Sequence, residues 1–412
     1  MRRVVVTGVG AITPLGLTAD AFAEALLTGA NGAGPITLFD AGGFSTRIAA
    51  QVPHTAAMEL NADRKSSFAA IAAREAVEHA QRSGGVLGAN GSERAALSLG
   101  LGLELFSMPD MVEWLKLEQG GANPQQVKRD FLQPPSDDCA HDISREFNLT
   151  EPPVLHVSAC AASTDAVGHA FRAIRRGKLD WALAGGADSM INPMGVAGFC
   201  KIQAMTTRND APHAASRPFD SGRDGFLLGE GAAVFVLESL DHAQARGARV
   251  YAEILGYGNS FDAYGISEPH PEGAGAAAAV RRALADAQLR PQQIQHVNAH
   301  GTSTPKNDPA ETSALRAVLG EHVERVTVNA TKSMIGHLIA ASGAVELAAQ
   351  IVCAARGYLH ATLNLDHVDS SCQLNHLTSA PCRINKSLII LKNSFAFGGQ
   401  NACLALSIPC NS

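Results

Sequence analysis

Val154-Leu155-His156-Val157-Ser158-Ala159-Cys160-Ala161-Ala162-Ser163, running on to Arg176-Gly177, reads as a strand, a turn of small residues and a helix. Val154 to Val157 is apolar and short. From Cys160 to Arg176, Val167, Phe171 and Ile174 recur on one helical face, and Gly177 stands where a glycine closes a helix. Trp181 to Ala184 then reads as a buried strand. The same alternation extends both ways. Upstream are strands at Arg3 to Val6 and Ala95 to Leu99, with helices at Asp20 to Leu27 and Ser67 to Gln81. Downstream, Gly231 to Glu238 is a strand, and after Ala252 the pattern restarts. Helices are predicted at Ala276 to Ala287, Glu311 to Leu319 and Ala341 to Arg356. Strands are predicted at Ile294 to Asn298, Val326 to Val328, Ser387 to Leu391 and Cys403 to Ser407. Alternating strands and helices imply an α/β layered fold with largely parallel sheets. The restart hints at two similar halves, 1–250 and 251–412, without a convincing sequence repeat. Leu105 to Cys139 is expected outside the layers as a loop or cap.

The composition agrees. With 412 residues, 46% hydrophobic and only 5% aromatic, the chain must fill its core with Ala, Val, Leu and Ile. A formal charge of −6 argues against nucleic acid as the main partner, although a local basic patch can still meet an acidic protein. Val4-Val5-Val6 is too short for a signal peptide's apolar region. The most apolar long stretch, Ile335 to Arg356, carries His337, Glu346 and Gln350 and reads as a buried helix, not a membrane span. No two of the eight cysteines stand within four residues of each other, which disfavours a zinc knuckle or a CxxC pair. Reduced thiols and a cytoplasmic location are expected.

Four strand-end motifs carry chemistry. A fifth, Val4 to Gly10, starts like a dinucleotide fingerprint but lacks the third glycine, because position 13 is Thr; a tight strand–loop turn is the better reading. Cys160, placed at a helix start among small residues, would have its thiolate stabilised by the helix dipole, or is simply a buried structural cysteine. Asn298-Ala299-His300-Gly301-Thr302-Ser303-Thr304-Pro305 follows a strand, where α/β folds place ligands. His300 there can exchange a proton, and Asp308 and Glu311 nearby tilt it toward function over a structural role. In Thr331-Lys332-Ser333-Met334-Ile335-Gly336-His337, Lys332 can pair with Glu346, reactively or as a structural ion pair. Asn393-Ser394-Phe395-Ala396-Phe397-Gly398-Gly399 can aim backbone N–H groups at an oxyanion, or is a hairpin-like loop. Cys, His, His with Lys, and a Gly loop together suggest a nucleophilic acyl-transfer site.

These motifs, with Arg217-Pro218-Phe219-Asp220, Arg223-Asp224-Gly225-Phe226 and Gly229-Glu230-Gly231-Ala232 in the same order, resemble the β-ketoacyl–acyl carrier protein synthases, elongating type II members of the thiolase superfamily. The resemblance runs nearly end to end. It implies a thiolase-like fold of two pseudo-symmetric halves stacked as α-β-α-β-α layers, usually homodimeric. It implies that Cys160 takes the acyl chain from an acyl carrier protein, with the N–H groups of Cys160 and Phe397 as oxyanion hole. His300 and His337 would bind the malonyl thioester and stabilise its enolate. Lys332 and Glu346 would order the site, Thr302, Thr304 and Asp262 would contact substrate, and Phe395, Phe397 and Gly398 would gate the acyl pocket. No metal or organic cofactor is needed. Asn298, Glu346, Asn393 and Ser394 resemble a structural monovalent-cation site.

Within that family, initiating synthases carry Asn where His337 stands, degradative thiolases use a second cysteine, and inactive partner subunits lack Cys160. The product would be a 3-oxoacyl carrier thioester in fatty acid or specialised polyketide or polyene synthesis. The alternative is a subunit of a heterodimeric ketosynthase/chain-length-factor complex. Departures include Ala396 for Gly and Gln400 for Thr, with polar residues from Gln133 to Asp138, Asp137 among them, and Glu104, in segments that the family places near the acyl tunnel and the dimer contact. Arg64, Lys65, Lys128, Arg129 and Lys201 are candidates for the basic rim that an acidic carrier would meet.

Overall fold

The computed structural model describes residues 1–54, 64–88, 92–102, 138–378 and 380–410. Its centre is an eleven-stranded mixed sheet. One half contains β1 (Val4–Ile12), β2 (Ala95–Leu101), β3 (Val154–His156), β4 (Trp181–Ser189) and β5 (Glu230–Ser239), in the order β3-β2-β4-β5-β1. The other contains β6 (Ala252–Phe261), β7 (His296–Asn298), β8 (Thr327–Asn329), β9 (Asn375–His376), β10 (Leu388–Phe395) and β11 (Gln400–Ile408), in the order β9-β8-β7-β10-β11-β6. With the short β9 set aside, both halves follow one plan, third-second-fourth-fifth-first. They join where Val4, Val5 and Val6 pair with Ile254, Glu253 and Ala252.

The helices complete the layers. They are α1 (Ala19–Leu27), α2 (Arg64–Arg82), α3 (Ala162–Arg175), α4 (Ala274–Asp286), α5 (Asn307–Leu319) and α6 (Ser342–Ala354). α2 covers the outer face of the first half, and α4 with α5 covers that of the second. α3 lies between the halves, against β2 and β4 on one side and β6 and β11 on the other, and α6 packs beside it. Every residue of α6 is buried, which is why the stretch reads as apolar without spanning a membrane. No helix among the described residues is long and apolar enough to cross one. None of the eight cysteines is in a disulfide among the described residues.

The sheet is mixed rather than largely parallel. β7 and β8 are parallel because α5 carries the chain back between them, whereas β10 and β11 are antiparallel because only the short turn Ala396–Gly399 joins them. The Val4–Gly10 glycines serve packing: a Cβ on Gly8 would come within 2.1 Å of the Ala76 carbonyl oxygen, and one on Gly10 within 2.0 Å of that of Ala72. They let α2 lie directly on β1. The strand β6 and the helices Asp138–Glu146 and Pro193–Lys201 were not legible as elements. Glu104, Lys128, Arg129, Gln133 and Asp137 lie outside the described residues.

Candidate active site

The chain leaves β3, turns sharply at Ala159 in a left-handed conformation (φ 47°), and makes one 3₁₀ turn, Ala159–Ala161, before α3 begins. That turn, more than α3 itself, holds Cys160, which is 3% exposed. The N–H groups of Phe397 and of Cys160 itself reach the sulfur. Burial pushes the thiol up to about 11, against the pull of the Lys332 charge and the Phe397 N–H. The thiolate expected from the helix dipole is therefore overturned: desolvation outweighs the helix terminus, and the resting group is a thiol.

Two imidazoles face the sulfur. His337 Nε2 is 3.1 Å from Cys160 Sγ. Its Nδ1 accepts the Ile339 N–H at 3.1 Å and lies 2.8 Å from Ser342 Oγ, so the ring proton sits on Nε2. His300 Nδ1 is 3.2 Å from Lys332 Nζ, an obligate donor, which also places the His300 proton on Nε2. One ligand atom from each of Cys160, His300 and His337 lies within 4.8 Å of the others, and the two rings meet edge-on with centroids 5.3 Å apart. Burial, reinforced by the Lys332 charge, drives both histidines well below the ordinary range, so both are neutral N–H donors. Backbone bonds fix them: Glu311 on α5 accepts the His300 and Gly301 N–H groups, each at 2.8 Å, and the His337 N–H reaches Leu227 O at 2.6 Å.

Behind the histidines lies a buried charge cluster. Lys332 Nζ donates to His300 O at 2.6 Å and to Glu346 Oε1. Glu346 Oε2 is 2.8 Å from Lys392 Nζ, and Lys392, fully buried, also donates to Ser394 Oγ at 3.2 Å and to the Asn393 carbonyl. Three of the four residues resembling a cation site are thus already engaged by an ammonium group. The fourth, Asn298, turns its Nδ2 to Asn329 Oδ1 at 2.9 Å and Thr331 Oγ1 at 3.1 Å. The set therefore already holds a positive charge, the Lys392 ammonium, although Asn298 Oδ1 and Asn393 Oδ1 are buried without hydrogen-bond partners among the described residues.

A cavity of about 350 Å³ opens from Cys160, His300 and His337 to the surface. Thr302 and Thr304 line it with their hydroxyls 2.9 Å apart. Phe395, Ala396 and Phe397 line it too. Gly398 turns the loop with φ 80°, and its N–H reaches Ile266 O at 2.6 Å. Ala396 has φ −116°, an extended conformation that tolerates its methyl. Asn393 to Phe395 belong to β10, so the loop is only Ala396–Gly399. Asp262 borders the cavity, but its oxygens accept from Asn401 Nδ2 at 2.8 Å and the His270 N–H at 3.0 Å, which makes it a loop anchor.

The basic rim is corrected in part. Arg64 Nε donates to buried Glu230 at 3.1 Å, and Lys65 is only 4% exposed, so neither is a docking surface. Arg64 turns inward because buried Glu230 has no solvent to neutralise it. Lys201 is exposed beside Ile202 and Gln203 at the cavity mouth.

The family models described as "Beta-ketoacyl synthase, N-terminal domain" and "Beta-ketoacyl synthase, C-terminal domain" match residues 1–243 and 251–366. The chain belongs to the β-ketoacyl synthase family. It is similar to the 3-oxoacyl-[acyl-carrier-protein] synthase 2 of Coxiella burnetii, 37% identical with 98% of each chain covered, and to that of Synechocystis, 37% identical over 98% of this chain and 97% of the relative. Among solved structures, a β-ketoacyl synthase from Burkholderia phymatum superposes with a TM-score of 0.88 at 33% identity, covering both chains completely. The ishigamide ketosynthase/chain length factor gives 0.87 at 33%, also over both chains. As an elongating, type II ketosynthase, this chain is an acyltransferase of the condensing class, with the thiolase-like α/β fold.

Two residues of this synthase's site were missed from the sequence: Ser342, which orients His337, and Lys392. Ser342 left no signal beyond its place at the start of a helix. Lys392 did leave one, as the charge that directly follows the apolar run Leu388-Ile389-Ile390-Leu391.

Proposed function

We propose that the chain is a 3-oxoacyl-[acyl-carrier-protein] synthase that condenses a Cys160-bound acyl chain with a malonyl carrier thioester. The observation carrying this reading is the pair of neutral imidazoles whose Nε2 protons are fixed beside Cys160 Sγ. Cys160 attacks the acyl thioester carbonyl, with the N–H groups of Cys160 and Phe397 facing the oxyanion. The carrier's sulfur leaves and ends with the thiol proton. The malonyl thioester then binds with its carbonyl oxygen against His300 and His337. Its C–C bond to the carboxylate breaks, CO2 departs, and the electron pair moves onto that oxygen as an enolate, which the two N–H groups stabilise. The enolate carbon attacks the Cys160 thioester, the C–S bond breaks, and the cysteine regains a proton from solvent. Lys332 and Glu346 hold His300, and Thr302 and Thr304 meet the polar carrier arm. Phe395, Phe397 and Gly398 form the gate.

The relatives' names support acyl carrier protein as the partner, as does a solved structure described as a type II PKS acyl-carrier protein in complex with its ketosynthase bound to the hexaketide (29% identity, TM-score 0.88, 99% of each chain). Lys201 is the docking candidate. The halves divide near residue 250, and the location is cytoplasmic. β3 is a sheet edge and Val157 after it is 60% exposed, which supports a dimer through that edge. The pathway is fatty acid synthesis or specialised polyketide or polyene synthesis. A second reading, a subunit dependent on a chain-length-factor-like partner, draws on the likeness to the ishigamide complex. The test is the intact mass of the protein after exposure to a panel of acyl carrier proteins, with Cys160→Ala as control. A Cys160-dependent adduct supports the first reading. No adduct from folded, isolated protein favours the second.

A further inference from the structure

Lys392 is unused by the mechanism above, yet its ammonium group is wholly buried. A strand's period of two puts it on the face of β10 shared with Ile390 and Ser394, toward α6 and Glu346. The charged groups that act on Lys392 are the buried Lys332, Glu346 and Glu311, so with Lys392 itself two positive charges stand against two negative ones. Glu346 is the hinge of the set. One oxygen takes Lys332, which holds His300 through both its ring and its carbonyl; the other lies 2.8 Å from Lys392 Nζ. Without Lys392 the cluster would carry an uncompensated buried negative charge, and a cation from solution would have to enter or Lys332 would be drawn away from His300.

We propose that the Lys392 ammonium is a tethered monovalent cation, seated among Glu346 Oε2, Ser394 Oγ and the Asn393 carbonyl, which makes this synthase independent of dissolved cations. Lys392 is a positioning residue: it neutralises the far side of Glu346 so that Lys332 stays on His300. The proposal rests on the condensing reading for its kinetic consequence, but its thermal test does not.

The experiment compares potassium chloride with choline chloride at equal ionic strength, for the full chain and for Lys392→Ala and Lys392→Met. The parent's melting temperature and kcat should be the same in both salts. Lys392→Ala removes the charge and opens room for an ion. Its kcat should fall by about 10–100-fold in choline with KM for the acyl carrier little changed. Potassium or ammonium should restore kcat and raise the melting temperature saturably. Lys392→Met fills the same space without charge and should stay impaired in every salt. A parent that gains activity or thermal stability saturably from potassium would overturn the proposal. That result would place an ion beside Lys392, where Asn298 Oδ1 and Asn393 Oδ1 are buried without partners among the described residues. A Lys392→Ala protein that no cation stabilises, including one that folds in none of these salts, would also overturn it, as would equal rescue of Lys392→Met. Failure of the condensing reading alone would leave the melting-temperature pattern intact and remove only the kinetic one.

Discussion

Ser342 Oγ lies 2.8 Å from His337 Nδ1 while accepting the Leu338 N–H at 2.9 Å. With that acceptor site filled, the serine proton points to Nδ1, and the tautomer that presents Nε2–H to Cys160 is imposed from the start of α6. Ser342→Ala removes one of the two donors that impose it. Acyl transfer to Cys160 should be nearly unchanged, while release of CO2 from malonyl carrier should slow by about tenfold. Adduct mass and CO2 release, measured separately, check this. Equal losses in both would indicate a collapsed site instead.

The raised Cys160 thiol has a kinetic signature. Because the group ionises only near 11, alkylation by iodoacetamide should keep rising about tenfold per pH unit from about pH 7 to pH 9. Lys332→Met, which removes a charge that favours the thiolate, should lower the rate throughout. Rates read by mass on the wild type would contradict this if they levelled off below about pH 8, as a preformed thiolate–imidazolium pair would make them.

What the sequence revealed and what it withheld follow one physical division. Cys160, His300 and His337 were legible because each stands at the end of a short apolar strand, where turn chemistry is local. Lys332 with Glu346 was legible as a charge pair in an apolar setting. Arg64 was misread because its partner is distant in sequence, and only the fold brings Glu230 beside it; Lys65 was misread because only the fold shows that it is buried. β6 escaped notice for a related reason. Its glycines, Gly256 and Gly258, dilute the strand signal while letting α4 approach the backbone. The antiparallel pairings likewise depend on connection lengths that periodicity does not report.

Arg64 and Lys201 should now part company. Arg64→Ala strands Glu230, whose side chain is fully buried, and should cost about 1–3 kcal/mol of stability with KM for the carrier little altered. Lys201→Glu should leave the melting temperature alone and raise KM for carrier-bound substrate, but not for a small-molecule thioester. Denaturant unfolding and paired kinetics decide it; the reverse assignment would return Arg64 to the docking rim.

Ala396 holds an extended backbone, bonded through its N–H to Gln400 O at 2.7 Å and its carbonyl to the Gly399 N–H at 3.1 Å. A glycine there gains no needed conformation and only enlarges the unfolded ensemble. Ala396→Gly should lower stability by about 0.4–1 kcal/mol and leave the acyl-adduct yield unchanged. A stabilising effect in denaturant unfolding would mean that the methyl strains the gate.

Acid should weaken the fold through its buried histidines. His296 and His360, both fully buried, are held at about 4 by desolvation, against 6.5 when exposed. Below about pH 6.5 the unfolded chain takes up protons that these native imidazoles refuse, so stability falls with pH until they too ionise near 4. Each withdraws about 1.4 kcal/mol per pH unit across that window. Glu311 and Asp308, raised by burial, act with the opposite sign, because the native state then binds protons first. Subtracting a variant isolates the histidine share. His360→Gln should be less stable than the parent at neutral pH, since Nε2 of His360 meets Thr331 Oγ1 at 3.0 Å. Its deficit should shrink by about 1–2 kcal/mol on going from about pH 7 to pH 5, as read from urea midpoints at each pH. Parallel stability curves for the two proteins would show that His360 accepts its proton without unfolding the chain around it.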